Sequence, residues 1–247
     1  MPNAAFVFCG GARTFLECFD TCFQKVICQL CPNADPCKVT LIFYMKLTDP
    51  GPKQQVDYDF TYKDNNYDET IQKIEAYRAK GFKLYHKILF HSEINDIDLM
   101  LSVSRRDLYT EFNEQDHHFI RALHIAYNLE RAGQMLLDIE KKRGFEFDTV
   151  IYIRPDLFFT GEARPLSEYV LNEAIFCTGT SDYSYDHFAI MPRALMKSFF
   201  LDKMEIYRTN NEKEFFTPEH MYTHTVPHRI EMIAEYYIKR GGDKPTD

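Results

Sequence analysis

The chain has 247 residues, enough for a large domain with a sizeable core. Hydrophobic residues make up 45% and aromatics 15%, which excludes a disordered chain. The formal net charge of −8 argues against a nucleic-acid-binding surface as the main function and leaves room for a local basic cluster that holds a phosphate group.

In chain order, residues 4–9 (AAFVFC) read as a short apolar strand that Gly10 and Gly11 end. From Thr14, Phe15, Phe19, Cys22, Val26 and Leu30 recur at intervals that put them on one face of a helix. Residues 38–45 (KVTLIFYM) predict a second strand, and 46–66, with Pro50, Gly51 and Pro52, a loop. Residues 66–80 predict a helix closed by Gly81, and 82–91 a third strand centred on KILFH. The mixed stretch 92–115 supports no assignment. A long helix is expected over 116–143, stopped by Gly144. Strands follow at 148–154, 174–177 and 187–191, with helices at 193–207 and 218–239.

This alternation predicts an α/β fold, Rossmann-like, with a mostly parallel central sheet flanked by helices. No internal repeat or domain boundary is visible, so one domain over residues 1–247 is the expectation. No run of 18 apolar residues exists, and no membrane span is expected. No basic leader opens the chain, and the seven cysteines are an odd number, so they read as reduced thiols and the expected location is cytoplasmic. Cys18 and Cys22 fall inside the first helix, where a thiol behaves as a small hydrophobe, and paired C-x-x-C knuckles for zinc are missing.

In open α/β sheets, ligands sit beyond the carboxyl ends of the strands. Two loops there, and two further segments of the chain, carry polar chemistry. The first is Gly10-Gly11-Ala12-Arg13-Thr14, where paired glycines admit a close ligand and Arg13 suits a phosphate; a plain strand-to-helix turn is the alternative. The second is Arg154-Pro155-Asp156. Residues two apart share a face of an extended strand, so Arg154 and Asp156 face one pocket, as ligand groups or as a structural ion pair. The third is Tyr185-Asp186-His187, with a base or metal ligand at Asp186 and a proton acceptor at His187, or a turn cap in their place. The fourth is Thr217-Pro218-Glu219-His220, a helix start in which the dipole alone accounts for Glu219. His220, His224 and His228 stand at helical spacing, but Pro227 interrupts them.

The motifs in this order, Gly10-x-x-Arg13-Thr14-Phe15, Arg154-Pro155-Asp156-Leu157, Asp186-x-Phe188-Ala189-Ile190 and Pro218-Glu219, resemble small GT-A-type glycosyltransferases. These use nucleotide-diphospho-sugars and include enzymes of large algal viruses and bacterial polysaccharide loci. The resemblance implies a single GT-A-like domain, a nucleotide-sugar donor and a glycan acceptor. It also places Arg154-Pro155-Asp156 where the family carries D-x-D, which binds Mn²⁺ or Mg²⁺. Here the first acid is Arg154. Either Asp156 holds a metal with help from Asp182 or Asp186, or Arg154 neutralises the leaving diphosphate itself. By the same resemblance Asp186, then Glu219, is the base, while Gly10, Gly11 and Arg13 hold the phosphates. Tyr183, Tyr185 and His187 would lie beside the ligand. A sugar nucleotidyltransferase and a non-catalytic nucleotide- or glycan-binding module are the alternatives.

Overall fold

The first strand, β1 (Ala4–Gly11), is apolar on both faces. Ala4, Phe6 and Phe8 enter one buried cluster, while Ala5, Val7 and Cys9 enter another. Such a strand must be covered above and below, which calls for helices on both sides of a sheet. The computed structural model describes residues 3–32, 35–47, 67–90, 93–94, 102, 118–169, 171, 174–179, 184–209, 228–230 and 233–238, and shows that arrangement.

The central sheet contains β1, β2 (Val39–Leu47), β3 (Lys83–Phe90), β4 (Thr149–Ile153), β6 (Ile175–Gly179), β7 (Ser184–Pro192) and β8 (His228–Ile230). Their spatial order is β3-β2-β1-β4-β7-β6-β8. The pairs β1–β2, β2–β3, β1–β4 and β6–β8 are parallel. Strand β7 runs antiparallel to both β4 and β6. The fold is therefore α/β with a mostly parallel sheet.

One face is covered by α1 (Phe15–Cys22), which runs through a π-helical turn, Phe23–Ile27, into α2 (Cys28–Leu30), and by α3 (Tyr67–Arg78). Aromatic rings fill this layer: Phe8 stacks on Phe43 at 4.8 Å, and Phe19 meets Phe8 edge-on at 5.2 Å and Tyr77 at 4.8 Å. Cys18 and Cys22 are buried there outside any disulfide, as small hydrophobes. The other face is covered by α4 (His118–Arg143), α5 (Met196–Phe200) and α6 (Asp202–Thr209). Leu129, Leu136, Met196, Phe199 and Phe200 form its core against the sheet.

The expected helix over 218–239 is corrected where the chain is described. Residues His228–Ile230 form β8, and Tyr236–Ile238 form β9, paired antiparallel with β5 (Leu157–Phe159). The apolar spacing of this stretch fits a helix, but Pro227 disfavours one, and the aromatic and β-branched Tyr236, Tyr237 and Ile238 suit a pleated surface. His228 thus lies in a strand, and His220 and His224 lie outside the described residues. The expected helix at 193–207 is also divided, into a short 3-10 turn Arg193–Leu195 followed by α5 and α6.

Candidate functional site

From β1 the chain moves outward to β2 and β3, then returns to lay β4 on the other side of β1. The strand order reverses at that point, and the crevice beyond the carboxyl ends of β1 and β4 is where open α/β sheets take ligands. Two sequence-predicted loops meet there. Gly10 has φ of +131°, a conformation side chains rarely adopt, and a Cβ on it would lie 3.6 Å from Pro155 Cδ. The positive φ is what calls for glycine here, since a Cβ at 3.6 Å from the proline would make only ordinary van der Waals contact. The Ala12 N–H donates to the Lys46 carbonyl at 2.7 Å, which carries the β1–β2 pairing into the turn. The Thr14 carbonyl then accepts the N–H groups of Glu17 and Cys18, starting α1.

Asp156 sits at the centre and is 1% exposed. Arg154 donates Nε to Oδ1 at 3.1 Å and Nη2 to Oδ2 at 3.0 Å, a two-pronged grip made possible by the i, i+2 spacing. Arg13 donates Nη1 to Oδ2 at 3.2 Å from the other loop. Both carboxylate oxygens therefore face guanidinium. Burial alone would raise the Asp156 pKa, but the charges of Arg154 and Arg13, the Arg154 hydrogen bond and nearby His187 outweigh it and hold it below its ordinary value. The carboxyl is ionised at neutral pH.

Strand β7 completes the edge. The Arg154 N–H donates to the His187 carbonyl at 2.8 Å, one step beyond the last β4–β7 pair, Ile153 with Phe188. Because β7 is antiparallel, its first residues lie beside the carboxyl end of β4. The backbones of Tyr185 and Asp186 belong to this end of β7, and their side chains are not among those described. Asp182, Tyr183, Pro218 and Glu219 lie outside the described residues.

Sequence reasoning missed three neighbouring groups. Tyr236, on β9, brings its hydroxyl to 3.3 Å from His187 Nδ1. Lys46, the next-to-last residue of β2, is in register with Gly11, and its Nζ is 3.1 Å from His124 Nδ1 on α4. The strand-end rule applied to KVTLIFYMK would have found Lys46. Nothing local points to Tyr236 or His124, which meet their partners through the fold.

A divalent cation does not fit Asp156 in this arrangement. Two guanidinium groups already oppose it, and among the described residues no group of three or more His, Cys, Asp or Glu side chains is placed to hold a metal ion. Among the same residues, no helix is long and apolar enough to cross a membrane.

No family model matches the chain, and no curated protein is significantly similar in sequence. Among solved structures it is similar to the galactosyltransferase LgtC in complex with donor and acceptor sugar analogs. The superposition has a TM-score of 0.44 and 9% identity, and covers 91% of this chain and 72% of that one. A likeness of this degree leaves function to be read from the site.

Proposed function

We propose that the chain is a glycosyltransferase that moves a sugar from a nucleotide-diphospho-sugar to a hydroxyl of a glycan or polysaccharide. The observation that most supports this is the Arg13–Asp156–Arg154 triad at the strand-order reversal, with a glycine turn beside it. In the reaction the anomeric C–O bond of the donor breaks, and its electron pair passes to the departing diphosphate. Fixed guanidinium groups beside that diphosphate stabilise the developing negative charge. A new bond forms from the acceptor oxygen, whose proton goes to a base. Asp186 is proposed as that base because its backbone lies at the same edge, with Glu219 as the second candidate. Gly10, Gly11 and Arg13 are proposed to line the phosphates, and Tyr185 and His187 the sugar or the nucleoside.

One observation favours a non-catalytic binding module instead: the triad closes on itself as a structural ion network does. Thermal unfolding against UDP-, GDP-, CMP- and dTDP-sugars tests the shared premise. At a hundredfold excess over Kd, a native-state ligand adds about 2.7 kcal/mol, or roughly 5–10 °C for a chain of this size. A shift with one nucleotide class supports the proposal, and no shift with any of them at millimolar concentration contradicts it. Release of nucleoside diphosphate from the donor that binds then separates an enzyme from a module.

A further inference from the structure

We propose that Cys28 and Cys31 are a redox modification site, at which a low-molecular-weight disulfide such as glutathione disulfide oxidises the two thiols to a bridge within the chain. The inference does not depend on the sugar-nucleotide reading. Three observations carry it.

The first is exposure. Cys9, Cys18, Cys22, Cys31 and Cys177 are buried, as small hydrophobes are, whereas Cys28 is exposed. Packing thus accounts for Cys31 and not for Cys28. A thiol that a solute can reach stands next to one that it cannot, which is the arrangement of an attacking and a resolving cysteine.

The second is spacing. Cys28 opens α2, and the Cys31 N–H donates to the Ile27 carbonyl at 3.1 Å, so the two cysteines share one helical turn. Residues three apart on a helix have Cα atoms about 5 Å apart, within the roughly 4.4–6.8 Å that a disulfide spans. Their Cβ atoms are about 5–6 Å apart, and a disulfide needs roughly 4 Å, so the turn must tighten. Cys31 ends the helix with φ of −123° and ψ of 60°, already outside the helical region. The tightening therefore falls on a terminal residue and leaves the regular turns in place.

The third is charge. Burial raises the Cys28 pKa, and the charge of Lys80, whose Nζ lies 4.0 Å from the centre of the Tyr77 ring, partly offsets it. Burial and then the charge of Cys28 push the Cys31 thiol up to about 12. The two sulfurs are thus close enough for one charge to bear on the other. Once Cys28 enters a mixed disulfide that charge is gone, which favours ionisation of Cys31 for the second step. In the first step the Cys28 thiolate attacks one sulfur of glutathione disulfide, the S–S bond breaks, and one glutathione leaves as a thiolate that takes up the proton Cys28 lost. Cys31, deprotonated in turn, attacks the Cys28 sulfur and expels the second glutathione. The protein gives up two electrons and two protons, and the oxidant becomes two thiols.

Incubation of the folded full chain with glutathione disulfide, followed by thiol counting in denaturant and mass-spectrometric fragment assignment, tests the proposal. The count should fall by two from the seven cysteines, with one bridge assigned to Cys28 and Cys31, and dithiothreitol should restore it. Cys31→Ala should hold Cys28 as a lasting mixed disulfide with glutathione. Cys28→Ser, at the exposed position, should leave Cys31 reduced and serves if Cys31→Ala fails to fold. A count that stays at seven, a bridge that includes a different cysteine, or a natural chain that stops at the Cys28 mixed disulfide would each overturn the proposal.

Discussion

Asp156 stays charged under almost complete burial because guanidinium groups from two loops face it. Its folded-state pKa lies below the ordinary 3.8, so the unfolded chain takes up this proton at a higher pH than the folded one. The stabilisation is therefore complete above the ordinary carboxylate range and is lost as pH falls through the lowered folded value. Asp156→Asn should cost roughly 2–4 kcal/mol at neutral pH, because it removes the buried charge that both guanidinium groups face. Denaturant unfolding of both proteins from about pH 7 down to about pH 3 checks this, since the gap should shrink below the ordinary value of 3.8. A gap that stays constant with pH would show that the charge of Asp156 does not matter. The shared face of Arg154 and Asp156 was legible in the sequence because an i, i+2 relation in extended chain is local. Arg13 joins them across 143 positions and Tyr236 reaches His187 across 49, and no spacing rule carries that information.

Among the elements, α4 shows how packing overrules local preference. Gly133 sits within this helix, where alanine would favour helix by about 1 kcal/mol. A Cβ there would lie 2.7 Å from Phe200 Cβ and 2.8 Å from Leu201 Cδ2. The leucine methyl can swing aside, but the Phe200 Cβ is fixed to the backbone of α5. Gly133→Ala should therefore lower stability by about 1–3 kcal/mol net, despite the better helix former. Thermal melts decide it, and a rise in melting temperature would mean that the two helices separate at little cost. The strands of the sheet's centre were legible because burial on both faces leaves continuous apolar runs, as in VTLIFYM. The short strands were not. Leu157–Phe159, His228–Ile230 and Tyr236–Ile238 have three residues each, too few for a period of 2 to be told from 3.6. Their pairing partners define them, and two of these strands build the small sheet that puts Tyr236 beside the site.

For the molecule as a whole, a net charge of −8 disfavours a phosphate ligand at long range. At physiological ionic strength that repulsion fades over about 8 Å, so the local charges at the carboxyl ends of β1 and β4 govern binding once a ligand arrives. The fold reverses strand order between β1 and β4, which brings Arg13 and Arg154 to one carboxylate. The most direct test follows the Nε–H resonances of Arg13 and Arg154 by NMR, in chelator, during titration with the nucleotide sugar that most raises the melting temperature. Both resonances should move together along one saturable curve, with the affinity that calorimetry gives. Saturation of the protein while both resonances stay still, and others far from β1 and β4 move, would contradict the placing of the phosphate site at this crevice.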